Sequence, residues 1–453
     1  MRRVVKVSRI RIIITIIVVV LTTLLTGCTG KEPNEIAYVV ALGIDSTDDD
    51  NYKITIQYAN TTQISGGASE SGGKAGSEIV DNVTIEAPNI YAGVGLANNI
   101  VSKSFSMSHA KLIVFSKEIA EKGVKDMIET LVRSEEIRPD VFIAVANTTA
   151  NDYLTSVNPE MEVNPAQYYQ LIYQKNQLVG IPDGQLREFF TGLYTDNYDS
   201  ILPIAGVIEG SGGNSQNDDK GQSKDSQNEG SEGSSESLDS FESKSSNENE
   251  KEKDAEKNTS KYEYDIKNYV GGETAIEKKN KAEAIGAAVF EKDKMVGELG
   301  EVETEICKML KGDYTYSYLT YYNNDTPDIP ITVKTTQQKK PKYKIDTDKK
   351  TVDIELYIES DLYSLPADYN VENKIEDFER NVANYTSSTC TEFINNFTKK
   401  YNSDILKLNE KVKYKFLTNN QYNWFKKNVG WSEYKFSVCT NFKVRRTGLI
   451  VRE

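Results

Sequence analysis

The sequence predicts an α+β protein of several domains, with mixed sheets, packed helices, and a long C-terminal amphipathic helix followed by an extended strand region. Three observations carry this prediction. In the first half, period-two and short apolar runs alternate with runs of helical period, so strands and helices are interleaved. In the second half, strand follows strand and the series ends in one long helix. Between the halves, Glu209–Lys261 holds 14 acids and 7 lysines, with Leu238 and Phe241 as its only large apolar residues. Such a segment cannot bury enough surface to offset its conformational entropy, and it reads as a disordered acidic insert. The expected boundaries are therefore a leader at 1–27, an N-terminal α+β region at 28–208 (two subdomains), the insert at 209–261, and a C-terminal α+β domain at 262–453.

Taken in order, Ile36–Asp45 and Tyr52–Tyr58 flank the polar run Asp48–Asn51 and read as a β-hairpin. Residues 61–78 are rich in Gly and Ser and read as a loop. Val83–Glu86 is a short strand, and Ile90, Val94 and Ala97 have helical spacing. Leu112–Phe115 and Val141–Ala146 are buried strands, separated by a helix over Lys117–Arg133, which makes a crossover between parallel strands. Thr148 or Thr149 caps a short helix through Leu154. Helices follow over 165–176 and 184–194, then a strand over Ile201–Ile208. After the insert, Ala284–Phe290 and Met295–Leu299 form a hairpin, and Glu301–Leu310 is a helix with acids in its first turn, where the helix dipole favours them. Strands are expected over 314–322, 329–338, 342–345 and 351–360. On the long helix, from about Val371 to Asn402, the residues Ile375, Phe378, Val382, Tyr385, Thr389, Phe393, Phe397 and Tyr401 form one stripe. Asn419–Lys427 is a shorter helix, and Glu433–Val451 is extended.

The leader sets the compartment. Arg2, Arg3, Lys6, Arg9 and Arg11 precede an apolar run from Ile12 to Leu25, which is shorter than the roughly 20 residues a spanning helix needs and has the length of a signal-peptide core. It ends in Leu25-Thr26-Gly27-Cys28, which looks like a bacterial lipobox. Cleavage before Cys28 and acylation of its sulfur would tether the rest of the chain to the outer face of a membrane. The other readings are a plain secretory signal and an uncleaved anchor. Loss of residues 1–27 takes the net charge from −14 to −19. A chain that acidic is poorly suited to nucleic acid, whose phosphates demand Lys and Arg. If Cys28 is acylated, Cys307, Cys390 and Cys439 remain, an odd number without CxxC spacing; they read as three buried thiols, with at most one disulfide, such as Cys390 with Cys439, as the alternative. One histidine and scattered cysteines do not make an ordinary zinc site, and no cofactor signature is present.

Catalytic candidates are few. His109 lies beside Ser106 and Ser108 and has the chemistry to activate a hydroxyl. Without a nucleophile elbow or oxyanion loop, it reads as a hydrogen-bonded structural residue at a strand entry. Tyr314, Tyr316 and Tyr318 alternate along a strand and read as a half-buried sheet face, with a ligand platform as the alternative. The stripe from Ile375 to Tyr401 reads as a helix docked on its own sheet, with a partner helix as the alternative. Lys339, Lys340, Lys342 and Lys344 read as a solvated hairpin, with contact to acidic lipid as the alternative.

Several stretches, in this order, resemble one family. After the lipobox come Asn34–Asp45, with Gly43 and Asp45; Ser108–Val114, with Ser108 and His109; a helix with Gly123; and Glu136–Pro139, with Arg138. The second half adds Gly286–Leu299, with Gly297, and Phe442–Gly448. Together these resemble the Ger(x)C family of spore germination lipoproteins, the C subunits of nutrient germinant receptors. The acidic insert departs from that pattern, as does Ala110, where members tend to carry Leu. The resemblance implies attachment to the spore inner membrane, a complex with membrane A and B subunits, and no enzymatic activity. It implies structural roles for Gly43, Asp45, Ser108, His109, Gly123, Arg138, Gly297 and Gly448, and lipidation of Cys28. A solute-binding lipoprotein of a transporter is the alternative reading, although that class normally shows two lobes with regular strand–helix alternation.

Overall fold

The computed structural model describes residues 13–17, 35–49, 51–59, 80–159, 162, 165–174, 180–195, 197–208, 262–264, 268–274, 280–323, 326–365, 374–401 and 403–447. The lipobox with Cys28, the 61–78 loop, the 209–261 insert and Gly448 lie outside the described residues. The architecture is α+β, built on two mixed sheets.

The first sheet starts as expected. Strands β1 (Ile36–Ser46) and β2 (Tyr52–Ala59) form the antiparallel hairpin, and β3 (Val80–Ala87) pairs with β2. A bulge between Val39 and Ala41 explains a phase slip in β1: Val39, Leu42 and Ile44 face one core, while Val40 and Ala41 face the other. Helix α1 (Ile90–Ala97) follows. The short strand β4 (Ser104–Ser106), which periodicity did not reveal, pairs with the start of β1. Strands β5 (Leu112–Ser116) and β6 (Phe142–Ala146) are parallel, as the crossover predicts. Their side chains are buried throughout, because helices cover both faces of the sheet.

The connection between β5 and β6 differs from the single expected helix. It is two helices, α2 (Lys117–Lys122) and α3 (Lys125–Val132), divided at Gly123, whose φ is 124°. An L side chain is strained at that φ, so the chain turns where only glycine turns freely. Helix α4 (Ala150–Ser156) is capped by Thr149, whose hydroxyl accepts from Asp152 N at 3.0 Å. Helices α5 (Pro165–Gln174) and α6 (Leu186–Thr195) precede β7 (Ile201–Val207). On one face of the sheet lie α1, α2, α3 and α6, and on the other lie α4 and α5.

The sheet is completed from beyond the insert. Strand β8 (Tyr262–Tyr264) belongs to the second sheet, but β9 (Ala282–Glu291) pairs antiparallel with β7, and β10 (Lys294–Leu299) closes the edge. The order is β10-β9-β7-β6-β5-β1-β2-β3, with β4 beside β1. The expected division at 262 is thus crossed by hydrogen-bonded strands. Past Gly286, β9 serves two cores: Ala288 and Phe290 enter the first, while Ala287 and Val289 face the second.

Helix α7 (Glu301–Lys311) leads into the second sheet, with strands β11 (Tyr316–Asn323), β12 (Thr326–Thr336), β13 (Lys342–Asp346), β14 (Thr351–Ser364) and, last in the chain, β15 (Lys435–Arg446). Its order is β13-β14-β12-β11-β8, and β15 runs parallel to β14. The long helix α8 (Ile375–Tyr401) buries Phe378, Val382, Phe393 and Phe397 against this sheet, which is the docked reading of its stripe. Helix α9 (Leu408–Val412), not foreseen from periodicity, and helix α10 (Asn419–Asn428) connect α8 to β15.

Two side-chain expectations need adjustment. Cys439 is exposed, on the outward-facing register of β15, whereas Cys307 and Cys390 are buried; all three are free thiols. Desolvation pushes the Cys307 and Cys390 thiols up to about 12. Tyr314 precedes β11 and is buried, whereas Tyr316 and Tyr318 lie on the outer face, where Tyr318 meets Tyr363 edge-on at 5.2 Å and Lys334 sits over Tyr316.

Candidate functional site

The residues singled out by sequence fall into three separate places. The first is the end of β1. Gly43 and Asp45 are two apart, so they share one face of the strand. A Cβ at Gly43 would come within 3.0 Å of Leu154 Cδ1 and 3.2 Å of Ala150 Cβ, so glycine lets α4 lie directly on β1. The buried Asp45 carboxylate then accepts from Ala150 N at 2.6 Å and Asn151 N at 3.0 Å. With Thr149 satisfying Asp152 N, the free N–H groups of the first turn of α4 are all engaged. Desolvation raises the Asp45 pKa, and the two backbone N–H groups oppose that rise. Asn151 extends the network to Thr55 and Thr84, at 2.9 Å each.

The second place is a clasp around the β9–β10 turn. Val124 N donates to Asp293 O at 3.0 Å, and a Cβ at Gly123 would sit 2.7 Å from Asp293 Oδ2. Gly297 lies under the Tyr401 ring, in space a side chain would need. Asp199, which the sequence reading missed, holds the turn from a third side: its Oδ1 accepts from Lys292 N at 3.1 Å and its Oδ2 from Asp404 N at 2.8 Å. Asp404 is fully buried and caps α9, accepting from Leu408 N at 2.7 Å and Asn409 N at 2.8 Å. Desolvation pushes Asp404 up to about 7, against those two hydrogen bonds, and the Asp199 charge adds to the rise. The N-cap position of α9 is Lys407, three residues after Asp404, so the usual cap signal marks neither Asp404 nor Asp199.

The third place is the entry to β5. Ser106 Oγ and Ser108 Oγ are 2.9 Å apart, and Ser108 Oγ lies 3.1 Å from His109 Nδ1. The exposed His109 ring meets Tyr38 edge-on at 4.6 Å. Neighbouring backbone is held by Glu136, whose Oε2 accepts from Met107 N at 2.7 Å. Arg138 is exposed and grips Asp140 through both Nε and a terminal nitrogen, at 3.0 and 3.2 Å. That pairing raises the Arg138 pKa and lowers that of Asp140. The hydroxyl–imidazole pair is thus built into a local turn. Arg138 is engaged with its own carboxylate partner, and the other motif residues lie at β1 and at the clasp. Among the described residues, no three His, Cys, Asp or Glu side chains are grouped to hold a metal ion.

The chain's similarities span both halves. Residues 30–207 match the model of the spore germination protein N-terminal domain, and residues 285–448 match that of the spore germination B3/GerAC-like C-terminal domain. Spore germination protein KC of Bacillus subtilis is 26% identical over 174 residues, which are 35% of this chain and 42% of that relative. The putative spore germination protein YfkR of the same organism is 28% identical over 145 residues, 32% of this chain and 37% of that relative. The matched regions therefore span about two fifths of those relatives' length. The crystal structure of the GerBC protein aligns with 89% of this chain and 96% of its own, at a TM-score of 0.48 and 14% identity. Two domain models in the expected order, covering most of the chain, establish the grouping: the chain belongs to the Ger(x)C family of spore germination proteins.

Proposed function

We propose that the chain is a lipid-anchored, extracytoplasmic subunit of a spore nutrient germinant receptor, held at the spore inner membrane through diacylglyceryl-Cys28. It acts by binding the membrane A and B subunits and carries out no bond chemistry of its own. The observation that carries this reading is the paired family match, over 30–207 and 285–448, directly behind Leu25-Thr26-Gly27-Cys28. The geometry supports it. Gly43, Asp45, Gly123 and Gly297 serve close packing and backbone capping, which are demands of a rigid binding body. A tether of two acyl chains gives stable membrane attachment and raises the effective concentration of the body toward membrane partners.

The test has two arms. Mass spectrometry of the mature N-terminus should find a diacylglyceryl group on Cys28; an unmodified peptide beginning elsewhere refutes the anchor. Spores carrying His109→Ala should germinate in proportion to the amount of receptor they contain. Normal levels of all three subunits with no germinant response would assign His109 a direct chemical or ligand role and overturn the binding reading.

A further inference from the structure

The segment between α9 and the end of α10 combines basic charge with exposed apolar side chains. From Lys413 to Asn428 it reads KYKFLTNNQYNWFKKN, with Lys413, Lys415, Lys426 and Lys427 and no acid, in a protein whose net charge is −14. Three of its large side chains point outward: Leu417 is 95% exposed, Tyr414 78% and Trp424 69%. They are mounted on a rigid base. The Phe416 and Phe425 rings lie 4.9 Å apart, and Phe425 packs at 6.1 Å on Trp431, which is 3% exposed and belongs to the second core. Thr418 caps α10, accepting from Gln421 N at 3.3 Å, so the turn bearing Leu417 has a defined shape. Lys413, Lys415 and Lys427 are exposed around these tips, with Lys415 also donating to Ile345 O.

We propose that this knob is a bilayer-docking surface, in which Tyr414, Leu417 and Trp424 enter the interface of an anionic membrane while Lys413, Lys415 and Lys427 meet phospholipid phosphates. Amphipathic aromatic rings and lysines are the side chains that settle at the headgroup level. Charge complementarity selects the occupant. A chain of excess negative charge is repelled by anionic lipid except where lysines stand without acids. Residues 330–344 are also free of acids and hold five lysines, but they present no exposed large apolar side chain, whereas Lys413–Asn428 presents three. The knob gives the body a second contact with the membrane, which fixes its orientation. This goes beyond the N-terminal attachment and does not depend on its chemistry, since an acyl chain and an uncleaved apolar leader would both hold the chain on a vesicle.

The chain has two tryptophans, and only Trp424 is exposed, so it reports on the knob. The full chain is reconstituted on vesicles whose phosphatidylglycerol or phosphatidylcholine carries bromine near the headgroup end of its acyl chains. The Trp424 signal is taken as wild type minus Trp424→Phe. It should shift to the blue and lose at least about half its intensity on brominated phosphatidylglycerol, where depth of insertion brings the indole to the acyl boundary. It should recover at roughly 1 M salt, where screening shortens to about 3 Å. The Lys413→Glu/Lys427→Glu variant should lose the quenching while floating with the vesicles and keeping its circular dichroism. A Trp424 signal as open to acrylamide on vesicles as in detergent overturns the proposal. Protection of Trp424 only when membrane subunits of the receptor are co-reconstituted also overturns it, and assigns the knob to a protein partner.

Discussion

At the scale of single residues, the buried carboxyls make the protein's stability depend on pH. Asp404 is pushed up to about 7 from an ordinary 3.8, and Glu305, buried in α7, to about 7 from 4.5, each chiefly by desolvation. A folded-state pKa above the unfolded one means that the folded protein keeps a proton that the unfolded chain has released. Stability from these groups is therefore complete below about pH 4 and is lost as pH rises toward 7. The melting temperature should fall between pH 5 and pH 8, and Asp404→Asn should flatten that slope while lowering the whole curve, because one oxygen is lost from the cap of α9. A wild-type melting temperature that rises over this range would rule the account out. Gly123 makes a second residue-scale case. Gly123→Val combines a φ of 124° with the Asp293 carboxylate at 2.7 Å, and should cost about 1–3 kcal/mol in chemical denaturation. A neutral effect would mean that the α2–α3 junction relaxes freely.

At the scale of elements, α8 does two jobs. Its apolar stripe closes the second core, and Phe393→Ala should cost about 3–5 kcal/mol, measured by denaturant titration. Its polar flank covers a sheet edge. Among the described residues, strand β15 pairs with β14 on one side only, so alternate N–H groups on its other side would face outward. Helix α8 meets them. Asn395 Oδ1 accepts from Phe436 N at 3.1 Å, Thr391 Oγ1 from Val438 N at 3.0 Å, Ser387 Oγ from Thr440 N at 2.9 Å, and Glu379 Oε1 from Val444 N at 2.8 Å. The i, i+4 rise of 387, 391 and 395 tracks the two-residue rise of the strand, since four helical steps cover about 6 Å and two strand steps about 6.6 Å. The triple variant Ser387→Ala/Thr391→Ala/Asn395→Ala should lower the melting temperature and raise concentration-dependent aggregation, followed by light scattering. Lower stability without aggregation would limit the strap to a stabilising role.

At the scale of the whole molecule, the two halves of the sequence share one sheet. Strand β9 pairs with β7 across the 209–261 segment, and its two faces serve different cores. A fragment ending at 208 would leave β7 an open edge and Phe189 without its partner Phe290, whose ring centroid is 5.0 Å away. Fragments 28–208 and 262–453 should therefore be insoluble when expressed separately and should form a soluble pair when co-expressed. A monomeric, cooperatively melting 28–208 fragment would show that the shared sheet is dispensable. Replacing 209–261 with a short Gly/Ser linker should change the melting temperature of the full chain little, since loop closure costs only about 0.6 kcal/mol per doubling of length.

The sequence by itself determined the α+β class, the β1–β2 hairpin, the parallel pair β5 and β6, the β9–β10 hairpin and the long helix. Each is written in a local period of apolar residues long enough to be unambiguous. It also marked Gly43, Asp45, Gly123 and Gly297 through the resemblance, without saying what they touch. Tertiary structure alone decided the rest. The single run Lys117–Arg133 became two helices because Gly123 must make room for Asp293, a residue 170 positions away in the chain. Strand β4 and helix α9 are too short for a period to be seen; pairing with β1 holds one, and the Asp404 cap holds the other. Asp199 was invisible because its role is to bind backbone N–H groups of Lys292 and Asp404, which come together only when β9 joins the first sheet. Local periodicity encodes which face of an element is apolar. Which element covers that face is decided by long-range packing, and here by a strand that is apolar on both sides.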